Sequence, residues 1–219
     1  MKPKLSLLAS GVLALSLLGG CAAKRTPIDY SAFQRANPAS ILVMPPINDS
    51  PDLKAVPAVW SSATRPLAEA GYYVTPVTLV DETFRQNGVH TSGEAQDIPI
   101  AKLREFFGAD AALYIKVKQY GTVYQLIASE TKVVVEGQIV DLRSGESLWK
   151  GSAAASSAER QQSNSGGLAG MLISALVNQI VGTVSDAAYQ YAVDADARLV
   201  ATVLPGPRSP RYGRLPGQK

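Results

Sequence analysis

Val140-Asp141-Leu142-Arg143-Ser144-Gly145-Glu146-Ser147-Leu148-Trp149 joins two strand-like runs, and its reading decides the fold. The run before it, Thr131 to Leu142, is rich in valine, and the run after it begins at Ser147. Gly145 can take the positive φ of a tight turn, so strand, turn, strand is the economical reading. Upstream, Leu113, Ile115 and Val117 alternate with Tyr114, Lys116 and Lys118, which predicts a strand with one apolar and one wet face. The period of two persists from Ala111 to about Ala158. It thins into Ala153, Ala154, Ala155 and Ser156, small residues that let another element pack closely on the sheet.

Further upstream the pattern alternates between helix and strand. Ser40-Ile41-Leu42-Val43-Met44, closed by Pro45-Pro46, fits a buried strand. Ile47 to Pro51 reads as a loop. Asp49 and Asp52 could hold a metal or act as an acid/base pair, but Asn, Asp, Ser and Pro together favour a turn. Helical spacing runs from Val56 to Ala70, with a start near Pro57 and a kink before Pro66, which cannot sit deep in an unbroken helix. Gly71 suits the position after a helix, and Tyr72 to Val77 is β-branched and aromatic, hence a second strand. A helix from about Leu79 to Gln86, a loop from Asn87 to Asp97 and a helix from Ile98 to Phe107 ended by Gly108 complete this half. The loop holds the sole histidine, His90, which reads as a solvated side chain. The expected fold class is mixed α/β: a single mixed sheet flanked by helices, with two further helices at the C-terminal side.

Downstream of the β-rich half, Gly166 to Val184 contains no charged residue. Leu168, Leu172, Leu176 and Ile180 fall four apart, so they line one face of a helix, with Met171 beside them. The stretch approaches the roughly 20 residues of a membrane span, yet Ser174, Asn178, Gln179 and Thr183 interrupt it and four glycines weaken a lone helix. Such an apolar helix needs cover from the body, from a second copy or from lipid. A homodimer built on Leu168, Met171, Leu172, Leu176 and Ile180 is the expectation carried forward. Asp186 to Leu204 continues helically with a stripe of small residues. Pro205 to Lys219 holds four Pro, three Gly and four bases without an acid, and is expected to be disordered. Its function is either contact with anionic material or solubility.

The N-terminal end carries a different signal. Lys2 and Lys4 precede an apolar run from Leu5 to Leu18, and Gly19-Gly20-Cys21 follows. The run is shorter than the roughly 20 residues of a span, and Cys21 is the only cysteine. This resembles a bacterial lipoprotein signal. The resemblance implies cleavage between Gly20 and Cys21, a diacylglyceryl group on the thiol and a fatty acyl group on the amine; no other cofactor is expected. The expected organisation is 1–20 signal peptide, 21–39 lipid anchor and tether, 40–204 body and 205–219 basic tail. Ala22, where enteric lipoproteins kept at the inner membrane tend to have aspartate, favours the outer membrane. Either its periplasmic face or the cell surface is compatible.

Composition fits a folded, exported domain: 46% of residues are hydrophobic and 18% charged. The formal charge of +3 conceals an asymmetry. Between 22 and 204 there are fifteen bases against eighteen acids, while the last fifteen residues are purely basic. A mildly acidic body is no case for nucleic acid.

Gly71-Tyr72-Tyr73-Val74-Thr75-Pro76-Val77, Gly108-Ala109-Asp110-Ala111 and Val140 to Trp149 together resemble a family of bacterial outer-membrane lipoproteins whose domain has no assigned function. More distantly, the first strand with Pro45-Pro46, the first helix and the hairpin are similar to the amino-terminal domain of TolB and to the CsgG and LpoB lipoproteins. The likeness spans roughly Ser40 to Ala158. It implies a TolB amino-terminal-like fold and a CsgG-like or other envelope lipoprotein as partner, and it transfers no catalytic residue.

Enzyme motifs are absent from the sequence: no Gly-x-Ser-x-Gly, no phosphate-cradling glycine loop with lysine, no His-Glu-x-x-His. No catalytic and no metal-ligating residue is expected. The leading expectation is a non-catalytic lipoprotein acting by protein contact as an accessory or assembly factor of the envelope. The alternatives are a subunit of a secretion or pore assembly and a carboxylate-dependent cell-wall enzyme using a pair such as Asp194 and Asp196. Residues two apart on a helix point about 200° apart, which weakens the last.

Overall fold

Strand pairing begins at the hairpin. Asp141 accepts hydrogen bonds from the backbone of Arg143 at 2.6 Å and Ser144 at 3.1 Å, and Gly145 turns the chain at φ +77°. The computed structural model describes residues 28–124, 129–159 and 187–218. In chain order they form α1 (Ser31–Ala36), β1 (Ser40–Val43), β2 (Ile47–Asn48), α2 (Ala55–Ser62), α3 (Thr64–Glu69), β3 (Tyr73–Val74), α4 (Val77–Gln86), α5 (Ser92–Gln96), α6 (Ile100–Phe107), β4 (Ala111–Tyr124), β5 (Ser129–Asp141), β6 (Ser147–Ser156) and α7 (Ala187–Val200).

The six strands make one mixed sheet in the order β3-β1-β4-β5-β6, with β2 paired to β4. β1 is parallel to β3 and β4, while β4, β5 and β6 are successive antiparallel neighbours. Ile41, Leu42, Val43 and Met44 are fully buried, as expected of a parallel strand covered on both faces. Asp110 sets the β1–β4 register, because one carboxylate oxygen accepts from Ala39 N, Ser40 N and Ser40 Oγ at 2.9–3.1 Å.

On one face α7 packs across β5, β6 and β4 and against α2 and α3. The close approach is made by removing side chains. A Cβ on Gly137 would meet Leu199 of α7 at 3.0 Å, and one on Gly151 would lie 2.3 Å from the Trp149 ring. Trp149 is 3% exposed, and its indole donates to Thr202 O at 3.1 Å. Among the described residues one core runs from Phe33 to Leu204, all of it in the chain after Cys21.

Several expectations need correction. The tether is shorter than 21–39: α1 packs on the body, with Phe33 buried edge-to-face against Tyr72 and Tyr30 donating to Thr202 O at 2.5 Å. The expected loop at Ile47 holds β2, which pairs with Lys116 and Val117. The expected strand Tyr72–Val77 is cut to Tyr73–Val74 because Pro76 starts α4 instead. The loop Asn87–Asp97 contains α5, closed by a capping box between Thr91 and Glu94. The tail is not disordered from Pro205: Gly206 N donates to Ala70 O at 2.8 Å and Arg208 N to Gly71 O at 3.2 Å. Gly71 (φ +96°) and Gly206 permit this contact, since a Cβ on Gly71 would lie 2.3 Å from Ser209 N. Residues 166–184, the first of the two C-terminal helices expected there, and Cys21 lie outside the described residues.

Candidate functional site

Antiparallel pairing gives β4, β5 and β6 two faces of opposite character. The face under α7 carries Ile115, Val117, Val133, Val135, Ile139 and Trp149, all buried. The other face carries two cross-strand rows. Tyr114, Gln138 and Lys150 are directly opposed, as are Lys116, Glu136 and Ser152. Such rows stabilise a sheet, and among the described residues no layer covers them. Helix α5 reaches over only its margin, where Gln96 Nε2 donates to Pro45 O at 2.8 Å. Between Gln96 and the two rows lies a hollow of about 570 Å³.

The chemistry of this face is polar and mixed in sign. Lys118 donates to Asp49 at 2.6 Å, with Lys116 3.9 Å from the same oxygen. That hydrogen bond holds the Asp49 carboxyl below the usual carboxylate range and raises Lys118. Partial burial raises the Tyr114 phenol. Gln138 Nε2 donates to Ser147 Oγ at 3.1 Å. Amides, ammoniums, two carboxylates and one phenol can bind a polar polypeptide surface. The rows were legible as the wet side of an alternating strand, but that they adjoin Gln96 was not, because α5 is folded over them from eighteen or more positions upstream.

The other sequence candidates are placed as follows. Asp52 Oδ1 accepts from Lys54 N at 2.9 Å, and Asn48 bonds Ser50 and the Asp52 carbonyl, so this segment is the expected turn. His90 is exposed, and its backbone N–H is used by Glu94. Asp194 and Asp196 do not form a surface pair: Asp196 is fully buried 2.5 Å from Ser62 Oγ, where no substrate reaches it. Among the described residues no three His, Cys, Asp or Glu are grouped to hold a metal, and no helix is long and apolar enough to cross a membrane.

Comparison with known proteins gives the fold its lineage. A family model described as "Putative lipoprotein GNA1162-like" matches residues 28–208. A Neisseria meningitidis serogroup B protein described as "Putative lipoprotein NMB1124/NMB1162" is 42% identical over 214 residues, covering 95% of this chain and 97% of its own. The crystal structure of lipoprotein GNA1162 from Neisseria meningitidis matches with a TM-score of 0.53 and 46% identity, over 66% of this chain and 99% of that one. The C-terminal domain of LpoB from Escherichia coli is much looser: 16% identity, a TM-score of 0.38, 54% of this chain and 84% of that domain. A match over most of the chain, joined to this identity, means that the chain belongs to the GNA1162-like lipoprotein family.

Proposed function

We propose that this protein is a non-catalytic accessory or assembly factor of the cell envelope, held at the outer membrane by acyl groups on Cys21 and acting by protein contact. The observation that carries the reading is the face of β4, β5 and β6 that stands open among the described residues. A sheet that buries one face under α7 presents Tyr114, Gln138 and Lys150 beside Lys116, Glu136 and Ser152 to solvent, next to a hollow. Membership of a lipoprotein family agrees with an envelope setting. An envelope lipoprotein of the CsgG type fits as the contacting protein. We further propose a homodimer through Leu168, Met171, Leu172, Leu176 and Ile180, residues outside the described structure.

A photo-crosslinking residue at Gln138, in intact cells, tests the contact. The expected outcome is a discrete adduct with an envelope protein that is absent when the probe sits at exposed Asn87. No adduct above that control rejects the open face as the contact surface. Release of soluble fragments from purified cell wall by the protein would reject the non-catalytic reading. Sedimentation tests the homodimer: Leu172→Glu with Leu176→Glu should convert a dimer into a folded monomer, and a wild type already monomeric at micromolar concentration rejects it.

A further inference from the structure

The C-terminal segment is held on the body, and it is held beside the point where the chain arrives from its anchor. Tyr212 OH donates to Asn37 Oδ1 at 2.9 Å, just past α1. Tyr30, just before α1, bonds Thr202, and Phe33, Asn37, Leu204, Tyr212 and Arg214 line one hollow. Tyr30 lies nine positions after Cys21, a reach of at most about 30 Å. The chain from Cys21 therefore joins the body beside this segment, within about 30 Å of the acylated residue.

That segment is basic, exposed and unneutralised. Arg208, Arg211 and Arg214 are all exposed, and among the described residues none of the three is in an ion pair. The Arg208 guanidinium lies 6.0 Å over the Tyr73 ring, a stacking that leaves its charge in place. The acid beside them is already engaged. Glu69, which shares a hollow with Arg211 and Arg214, is bonded by Arg65 at 2.8 Å. Around the arginines stand large exposed side chains: Tyr73 at 55%, Tyr212 at 51% and Leu215 at 43%. Guanidiniums beside tyrosines and a leucine match the boundary between lipid headgroups and acyl chains.

We propose that Arg208, Arg211 and Arg214, with Tyr73, Tyr212 and Leu215, form a surface that docks on the anionic phosphate headgroups of the leaflet holding the anchor. The inference rests on the anchor at Cys21, which brings this side of the body to the bilayer. Acylation tethers the protein; the arginine surface orients it, turning the open sheet face to a fixed aspect of the membrane.

The test uses the acyl-free chain 22–219, which contains the entire core, sedimented with vesicles. Vesicles of phosphatidylcholine mixed with phosphatidylglycerol should carry the protein down, vesicles of phosphatidylcholine alone should not, and salt should weaken the binding. Each arginine near an anionic surface contributes about fivefold, so replacing Arg208, Arg211 and Arg214 by glutamine should weaken binding about a hundredfold. Lysine at the same three positions should restore it, and both variants should melt with the wild type. Equal binding to neutral vesicles, no binding to anionic ones, or full binding by the glutamine variant overturns the proposal. Because this chain bears no acyl group, failure of the anchor would appear only as lost fatty-acid labelling, a separate result.

Discussion

Asp196 of α7 and Ser62 of α2 meet 2.5 Å apart inside the core, and their contact is that of an uncharged acid. The Ser62 hydroxyl has one proton and lies 2.8 Å from Ala58 O, which can take it. Asp196 can then donate its own proton to Ser62 Oγ. Burial pushes the Asp196 carboxyl up to about 8, and its Oδ1 has no partner among the described residues. Only the protonated form tolerates that setting.

The consequence is a pH-dependent stability. An unfolded Asp196 titrates near 3.8 and the folded one near 8, so between these values the native state holds the extra proton. This contribution is fully present below about pH 4 and is lost as pH rises through 8. The urea midpoint of the acyl-free chain should fall between pH 5 and 8 beyond what surface groups produce. Asp196→Asn should flatten the slope, and an unchanged slope would mean that Asp196 is ionised in the core.

Trp149→Ala should destabilise the fold by about 3 to 5 kcal/mol. The indole fills the space left by Gly137 and Gly151, and its N–H ties β6 to the end of α7 at Thr202. A thermal melt reads the loss, and no change in midpoint would contradict this packing.

Gly71→Ala should release the C-terminal segment. The substitution forces a side chain into φ +96° and onto Ser209, a backbone strain of about 1 to 3 kcal/mol before any clash. Trypsin should then cut faster at Arg208 and Arg211, while the melt of the body shifts little. Equal cleavage rates would place the segment's hold elsewhere, on Tyr72 OH and Leu204 O or on Tyr212 and Asn37.

Cys21→Ala should abolish metabolic labelling by a fatty acid and leave unprocessed precursor. The spacing of Lys2, Lys4, the run Leu5 to Leu18 and Gly19-Gly20-Cys21 motivates this. A labelled Cys21→Ala protein would disprove the assignment.

The sequence by itself determined what depends on near neighbours. Leu113, Ile115 and Val117 lie buried and Lys116 and Lys118 exposed, because alternation is a property of the strand alone. Gly108 ends α6 at φ +63° and Gly145 turns the hairpin at φ +77°, where the absent Cβ decides locally. The break between α2 and α3 before Pro66 follows from the proline ring. The Thr91–Glu94 capping box was equally local, a signal present in a segment read as loop.

Tertiary structure decided what depends on residues far apart in the chain. Ile47–Asn48 has the chemistry of a turn and becomes a strand only because Lys116–Val117 arrives beside it. Asp196 looks like any helical acid until Ser62, 134 positions away, closes over it. Pro205 onward has a disordered composition, yet two glycines without Cβ let it lie on Ala70 and Gly71, which brings three arginines beside α1. In each case the deciding energy is a backbone hydrogen bond or a desolvation that exists only when the second segment is present, so no window of sequence contains it.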